Sequence, residues 1–133
     1  MNLIEALQIE RFQVNGHQYH AAMKLGRFHE QPYGFLNGGA TLAFAEITAG
    51  HASNLLGKGM YHAVGMSVTA NHVRSMKAEG YLSAEGELLH NGYRNHVWSI
   101  KMRDEKNNLI SIVTVTNAIL DEKGVKSTYK KMD

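Results

Sequence analysis

Between Gly38 and Gly57 the chain reads GGATLAFAEITAGHASNLLG, and Glu46 is its one charged side chain when His51 is neutral. The protein's sole proline, Pro32, lies ahead of this run, and Gly57-Lys58-Gly59 closes it. A long stretch with apolar residues on every side predicts a single helix that is buried rather than half-exposed. From Gly39 to Leu56 such a helix spans roughly 27 Å at the usual rise per residue, the width of a small domain. The rest of the chain must be built around it. A carboxylate in such a helix costs stability unless it is paired, hydrogen-bonded or raised in pKa, so Glu46 is the residue to explain.

The flanking segments read as strands. Residues 2–7 suggest one short amphipathic turn, and Phe12 and Val14 lead to Asn15-Gly16, a hairpin signal. Tyr19, Ala21, Met23 and Leu25 then alternate with His20, Ala22 and Lys24, as in a half-buried strand. Residues 26–37 show no period and form a loop. After the helix, His62 to Arg74 is strand-like with Val64, Met66, Val68 and Ala70 on one face. Tyr81 to His90 puts Leu82, Ala84, Gly86 and Leu88 on one face, and Asn91-Gly92 turns the chain. His96, Trp98, Ile100 and Met102 share a face of the next strand. Asp104–Asn108 is a polar turn, Leu109 to Leu120 a long strand, and the tail from Asp121 reads as frayed. Four consecutive strands with short links predict an antiparallel meander. The expectation is one α+β domain over residues 1–133, a curved antiparallel sheet wrapped around one long central helix.

Composition narrows the function classes. A chain of 133 residues with 44% hydrophobic and 20% charged residues is long enough for one core and is not disordered. The net charge of +2, without a basic run, gives no support to nucleic-acid binding. There is no cysteine, which excludes disulfides, thiolate metal sites and a cysteine nucleophile. The start MNLIEALQIERF lacks the layout of a secretory signal, and Glu46, His51 and Asn54 make the central run a poor membrane span. A cytoplasmic protein is expected. His17 and His20 would face opposite sides of a strand, so no metal is expected despite eight histidines.

No nucleophile elbow, phosphate-binding loop, dinucleotide fingerprint or zinc-protease helix is present. What remains is the Gly38-Gly39 helix start and the carboxylate. The first amides of a helix lack intrahelical partners, and glycines let a ligand atom approach them. That arrangement can hold a phosphate or a carbonyl oxygen gaining negative charge. Glu46 lies about 12 Å further along the rod. One chain does not readily bring both to one atom, whereas two antiparallel copies of the helix could. The plainer reading is a tight helix start and a satisfied internal carboxylate.

The run Gln31-Pro32-Tyr33-Gly34-Phe35-Leu36-Asn37-Gly38-Gly39, continued by Ala40 to Glu46, resembles the hotdog-fold acyl-CoA thioesterases. The branch is that of the phenylacetate-pathway, 4-hydroxybenzoyl-CoA and 1,4-dihydroxy-2-naphthoyl-CoA enzymes. Asn71-His72-Val73-Arg74-Ser75, His96-Val97-Trp98 and Thr116-Asn117-Ala118-Ile119-Leu120 extend the likeness to roughly residues 8–121. The resemblance implies a hotdog fold, sites at dimer interfaces, and at least a homodimer, with a homotetramer expected. It implies Glu46 as general base or direct nucleophile, the Gly38 amide polarising the thioester carbonyl from the other subunit, and Gln31 positioning nucleophile or substrate. It also implies an acyl-CoA substrate, with an aromatic acyl group favoured, and no cofactor beyond the coenzyme A of the substrate.

Two positions depart from the family pattern. Asn37 stands where a histidine is usual, and it can donate a hydrogen bond but not carry a proton. Gly50 stands where many relatives have Ser or Thr, and Thr48 would face elsewhere. Gly39 belongs with the open amides, Tyr33 and Phe35 are candidates for the acyl pocket, and His72, Arg74 and Arg94 for the coenzyme phosphates. A non-catalytic acyl-CoA-binding module is the alternative. A hotdog dehydratase is a further one, but it calls for a His-carboxylate pair that Asn37 does not supply.

Overall fold

In a computed structural model, which describes residues 1–121, the central run forms one helix, Gly38–Gly57. The order is α1 (Leu3–Leu7), β1 (Ile9–Asn15), β2 (Gln18–Lys24), a 3-10 turn (Arg27–His29), α2 (Gly38–Gly57), β3 (Tyr61–His72), β4 (Tyr81–Asn91), β5 (Asn95–Arg103) and β6 (Leu109–Asp121). The six strands make one antiparallel sheet ordered β1-β2-β4-β5-β6-β3. The tail expected to fray after Asp121 lies outside the described residues.

The meander is shorter than expected. Only β4, β5 and β6 follow one another in space; β3 crosses to the far edge and pairs with β6, with Ala70 opposite Val113. The link from Val73 to Gly80 is too long for a hairpin, and β2 occupies the place beside β4 instead. The β3 face is also corrected. A bulge at Met66 shifts the register between Gly65 and Ser67. Ala63 before it is buried, and Val68 and Ala70 after it pack on the core, while Val64 and Met66 are exposed. One inserted residue reverses the parity of everything that follows.

The helix is not buried on all sides within this chain. Thr41, Phe44, Ala45, Thr48, Ala49, Ala52 and Ser53 face the sheet and are buried. Glu46, His51 and Leu55 are exposed. The even spread of apolar residues was therefore a poor guide to Glu46, because one sheet covers one side of a helix.

The buried face carries its own polar ties. Thr48 donates to the Phe44 carbonyl (2.7 Å), so the Tyr19 hydroxyl donates to Thr48 (2.7 Å). The Tyr19 ring fills the space where a side chain at Gly86 would begin. Burial raises the Tyr19 pKa well above the ordinary phenol range. His29 is fully buried; its Nδ1 accepts from the Gly26 amide (3.0 Å), leaving Nε2 to donate to the Leu7 carbonyl (2.7 Å) and fasten α1.

A second cluster joins α2 to the far strands. Ser53 Oγ accepts from Trp98 Nε1 (2.8 Å) and Asn117 Nδ2 (3.2 Å), so its own proton goes to His96 Nδ1 (2.8 Å). This geometry holds His96 neutral. Burial, then the like charges of His90 and His17, push its pKa down to about 4. The unfolded chain therefore takes up this proton first as pH falls, so the stability that neutral His96 contributes is complete above about pH 6.5 and lost toward pH 4. Thermal denaturation across that window should show a falling Tm. The fall should be smaller in His96→Gln, which keeps an acceptor for Ser53 but does not titrate.

Candidate active site

The loop before α2 is organised by Gln31. Its side-chain oxygen accepts from the amides of Tyr33 (2.5 Å) and Phe35 (3.3 Å), and its own amide donates to the Phe35 carbonyl (2.8 Å). Gly34 takes the positive φ of 88° that the turn requires. Tyr33 stands 85% exposed at the tip and Phe35 is 39% exposed.

Asn37 is the N-cap of α2. Its Oδ1 accepts from the Gly39 amide (2.8 Å), so that expected open amide is occupied. Capping is what an Asn before a Gly-Gly pair does well. The Gly38 amide has no acceptor among the described residues and is the free donor of the helix start. The His72 ring packs against Gly38, where a Cβ would lie only 2.9 Å from Nε2. His72 Nδ1 in turn meets Ser111 Oγ at 2.8 Å. Gln31, Gly38, Thr41, His72, Arg74 and Ser111 line one cavity of about 310 Å³. Arg74 Nη1 reaches Asn108 at 3.3 Å at its margin.

Glu46 opens elsewhere. It lines a cavity of about 500 Å³ with Ile4, Ile9, Phe12, Ile47, Gly50 and Gly65 among its walls. Gly65 sits beneath the carboxylate, and a Cβ there would overlap the Glu46 oxygen. Gly50, one turn along, leaves open space, with nothing within 4 Å of a built Cβ. Asn54 braces this region: Oδ1 accepts from the Ala63 amide (2.9 Å) and Nδ2 donates to the Gly50 carbonyl (3.0 Å).

The structure thus gathers Gln31, Gly38, His72 and Arg74 in one place and sets Glu46 in another. Arg94 joins neither. It lies in the β4–β5 turn, and its carbonyl accepts from the Ile119 amide (2.8 Å) near the Tyr61 end of β3, while His72 and Arg74 stand at the opposite end. Within one chain these three cations do not form a single phosphate site. Gly65, Ser111 and the Phe12 side of the Glu46 cavity were absent from the sequence-derived candidates. A glycine inside a β-rich run signals close approach, and Gly65 was legible on that ground alone.

Among the described residues no group of three His, Asp or Glu could hold a metal ion, and no helix is long and apolar enough to cross a membrane. A six-stranded antiparallel sheet on one long helix, with a free amide at the helix start and a carboxylate on its open face, defines a hotdog domain. Residues 33–111 match the thioesterase superfamily. The 1,4-dihydroxy-2-naphthoyl-CoA hydrolase of Escherichia coli is 35% identical over 119 residues, covering 90% of this chain and 87% of that one. A crystal structure of yhdA from Lactococcus lactis, a thioesterase by designation only, superposes with a TM-score of 0.89 at 53% identity, covering 91% of this chain and 99% of that one. A Haemophilus influenzae thioesterase gives 0.85 at 27% identity, covering 93% and 86%. The chain belongs to the thioesterase superfamily, and it is an acyl-CoA thioester hydrolase.

The geometry under Glu46 yields a prediction. In Gly65→Ala the flexible carboxylate, not the backbone, gives way. The variant should keep a near-wild-type Tm, while kcat falls by ~10-fold or more, in line with the cost of an ångström-scale misplacement. Thiol release and thermal denaturation of the same preparation check both halves.

Proposed function

We propose that the protein hydrolyses an aromatic acyl-CoA to the free acid and coenzyme A at a site shared by two copies of the chain. One observation carries this: the free Gly38 amide and Glu46 open into separate cavities of one chain. They stand about 12 Å apart along α2. Two helices lying antiparallel would bring the Gly38 amide of one copy to the Glu46 carboxylate of the other. The partly exposed apolar residues beside Glu46 on α2, Leu42, Ala43 and Ile47, suit such a contact.

In this reading the Gly38 amide donates to the thioester oxygen as it becomes negative. Glu46 takes a proton from water as the water oxygen attacks the carbonyl carbon; the carbon–sulfur bond breaks and the departing thiolate takes the proton. Alternatively the Glu46 oxygen attacks directly, the thiolate leaves, and water cleaves the resulting mixed anhydride. Gln31 holds the loop beside Gly38, and Asn37 fixes the helix start. Its Nδ2 is the group left to meet a carbonyl, since Oδ1 is taken by Gly39. His72 and Arg74 of the Gly38 cavity would face the coenzyme, while Arg94, at the other end of β3, takes no part in this reading. The hydrolysis of 1,4-dihydroxy-2-naphthoyl-CoA by the Escherichia coli relative, and the apolar walls around Glu46, support an aromatic acyl group. No resident cofactor takes part.

Thiol release from aromatic and aliphatic acyl-CoAs, wild type beside Glu46→Gln, tests this. Aromatic members should turn over, and the variant should lose ~10²–10⁴-fold in kcat while folding normally, the range expected for a positioned base. Full activity in Glu46→Gln removes Glu46 from the mechanism. Acyl-CoA that raises the Tm without any turnover would instead mark a binding module, for which an Asn37 that caps rather than carries a proton is the supporting feature.

A further inference from the structure

The two ends of α2 are held to the rest of the chain by unequal means. Thr48, Ser53 and Asn54 bond their side chains to strand residues and fix the part of the helix beyond Glu46. Among the described residues no side-chain hydrogen bond ties α2 to a strand before Thr48, roughly 15 Å along the helix from Gly38. The helix start therefore takes its position from the loop that enters it. Two backbone bonds seat the last residues of that loop: the Leu36 amide donates to the Met76 carbonyl (2.8 Å) and the Asn37 amide to the His29 carbonyl (2.8 Å). The second closes a narrow stem in which Glu30 also pairs with Leu36.

We propose that His29 is a positioning residue, which sets the Gly38 amide against the thioester oxygen by holding the residue before it. The inference rests on the reading of Gly38 as the donor to that oxygen. The His29 ring is fully buried and held from two elements outside the stem, by the Gly26 amide just past β2 (3.0 Å) and the Leu7 carbonyl of α1 (2.7 Å). Leu7 is itself in the core, and the Phe28 ring meets the imidazole edge-on at 5.6 Å. With its side chain pinned at both nitrogens, His29 presents its carbonyl to Asn37 at a fixed place, and Gly38 is the next residue. A leucine there would fill the space but leave the Gly26 amide and the Leu7 carbonyl without these partners. A backbone donor stabilises an oxyanion only at hydrogen-bond distance from where the charge develops, so an ångström-scale shift is costly. Glu46 has no such dependence, because the ties that hold its part of α2 lie beyond it.

The test uses full chains of wild type, His29→Leu, His29→Gln and His29→Asn. The Gln side chain keeps a donor for Leu7 and the Asn side chain an acceptor for Gly26, so each breaks one ring bond and His29→Leu breaks both. With benzoyl-CoA, at a temperature well below each Tm, kcat should fall by ~10-fold or more in His29→Leu with KM unchanged, the mark of a transition-state interaction. His29→Gln and His29→Asn should each recover part of that loss. Wild-type kcat in every variant that folds, or a loss confined to KM, overturns the inference. The infrared carbonyl stretch of bound [carbonyl-¹³C]benzoyl-CoA is then read in Glu46→Gln, which holds the thioester uncleaved. It should lie below that of the free thioester, and in Glu46→Gln combined with His29→Gln or His29→Asn it should return part of the way. A lowering that persists unaltered in both combinations overturns the role of His29 while the Gly38 reading stands. No lowering in Glu46→Gln itself overturns the Gly38 reading, and this inference with it.

Discussion

Close approach of α2 to the sheet governs the rest of this structure. Ala45, Ala49 and Ala52 are fully buried on one side of the helix, and their small side chains let the backbone lie near the strands. Larger residues fill the gap from the sheet side: Tyr19, Trp98, Ile100 and Met102 are all fully buried. The helix is then fixed in rotation by polar ties that apolar packing alone does not supply. Tyr19 to Thr48 holds one side, Ser53 to His96, Trp98 and Asn117 the other, and Asn54 to Ala63 the edge. Buried hydrogen bonds of this kind specify one arrangement, since slipping the helix would leave several polar groups unpaired.

That fixed rotation decides where the chemistry lies. With Thr48 and Ser53 committed to the sheet, Glu46 falls at the β3 side of the helix against Gly65 and His51 at the β1 side against Phe12, both solvent-exposed. The helix start, by contrast, sits above β3 and β6, where His72 and Ser111 pair across neighbouring strands. Two chemically distinct surfaces therefore occupy the same helix. The strand β3 serves both, through Gly65 beneath Glu46 and His72 against Gly38, and the bulge at Met66 separates them. Without that inserted residue the two sites would not both face α2, because seven residues apart on an unbroken strand are on opposite faces.

Most of the fold was legible because strand alternation survives in sequence. The faces Tyr19–Leu25, Leu82–Leu88 and His96–Met102 are buried as their spacing required. The places where reading failed have physical causes. A bulge carries no reliable sequence mark, so the face of β3 was misassigned. A helix whose exposed side is rich in Leu, Ile and Ala looks buried all round, so Glu46 was expected inside. Strand order is set by which edge remains free, not by sequence adjacency, so the position of β3 was missed. Of the candidate site, the helix start and Glu46 stood out as glycines before a helix and one charge in an apolar run. Ser111 did not, since a serine in a strand has many ordinary uses.

The exposed carboxylate and the half-covered helix are two aspects of one fact. An isolated Glu on an open helix face has water to satisfy it, and it has little cause to be a strong base or nucleophile there. The same carboxylate becomes reactive when an apolar surface closes over it and removes that water. In this chain the apolar residues flanking Glu46 on α2, Leu42, Ala43 and Ile47, are left partly exposed by the sheet. Covering them requires another surface, and the α2 face of a second copy offers matching apolar residues together with a free Gly38 amide. In the proposed assembly, the contact that buries the face also desolvates Glu46 and delivers the donor for the thioester oxygen. Association and activation would then be a single event, and a monomer would hold every residue of the site without the environment that makes them work.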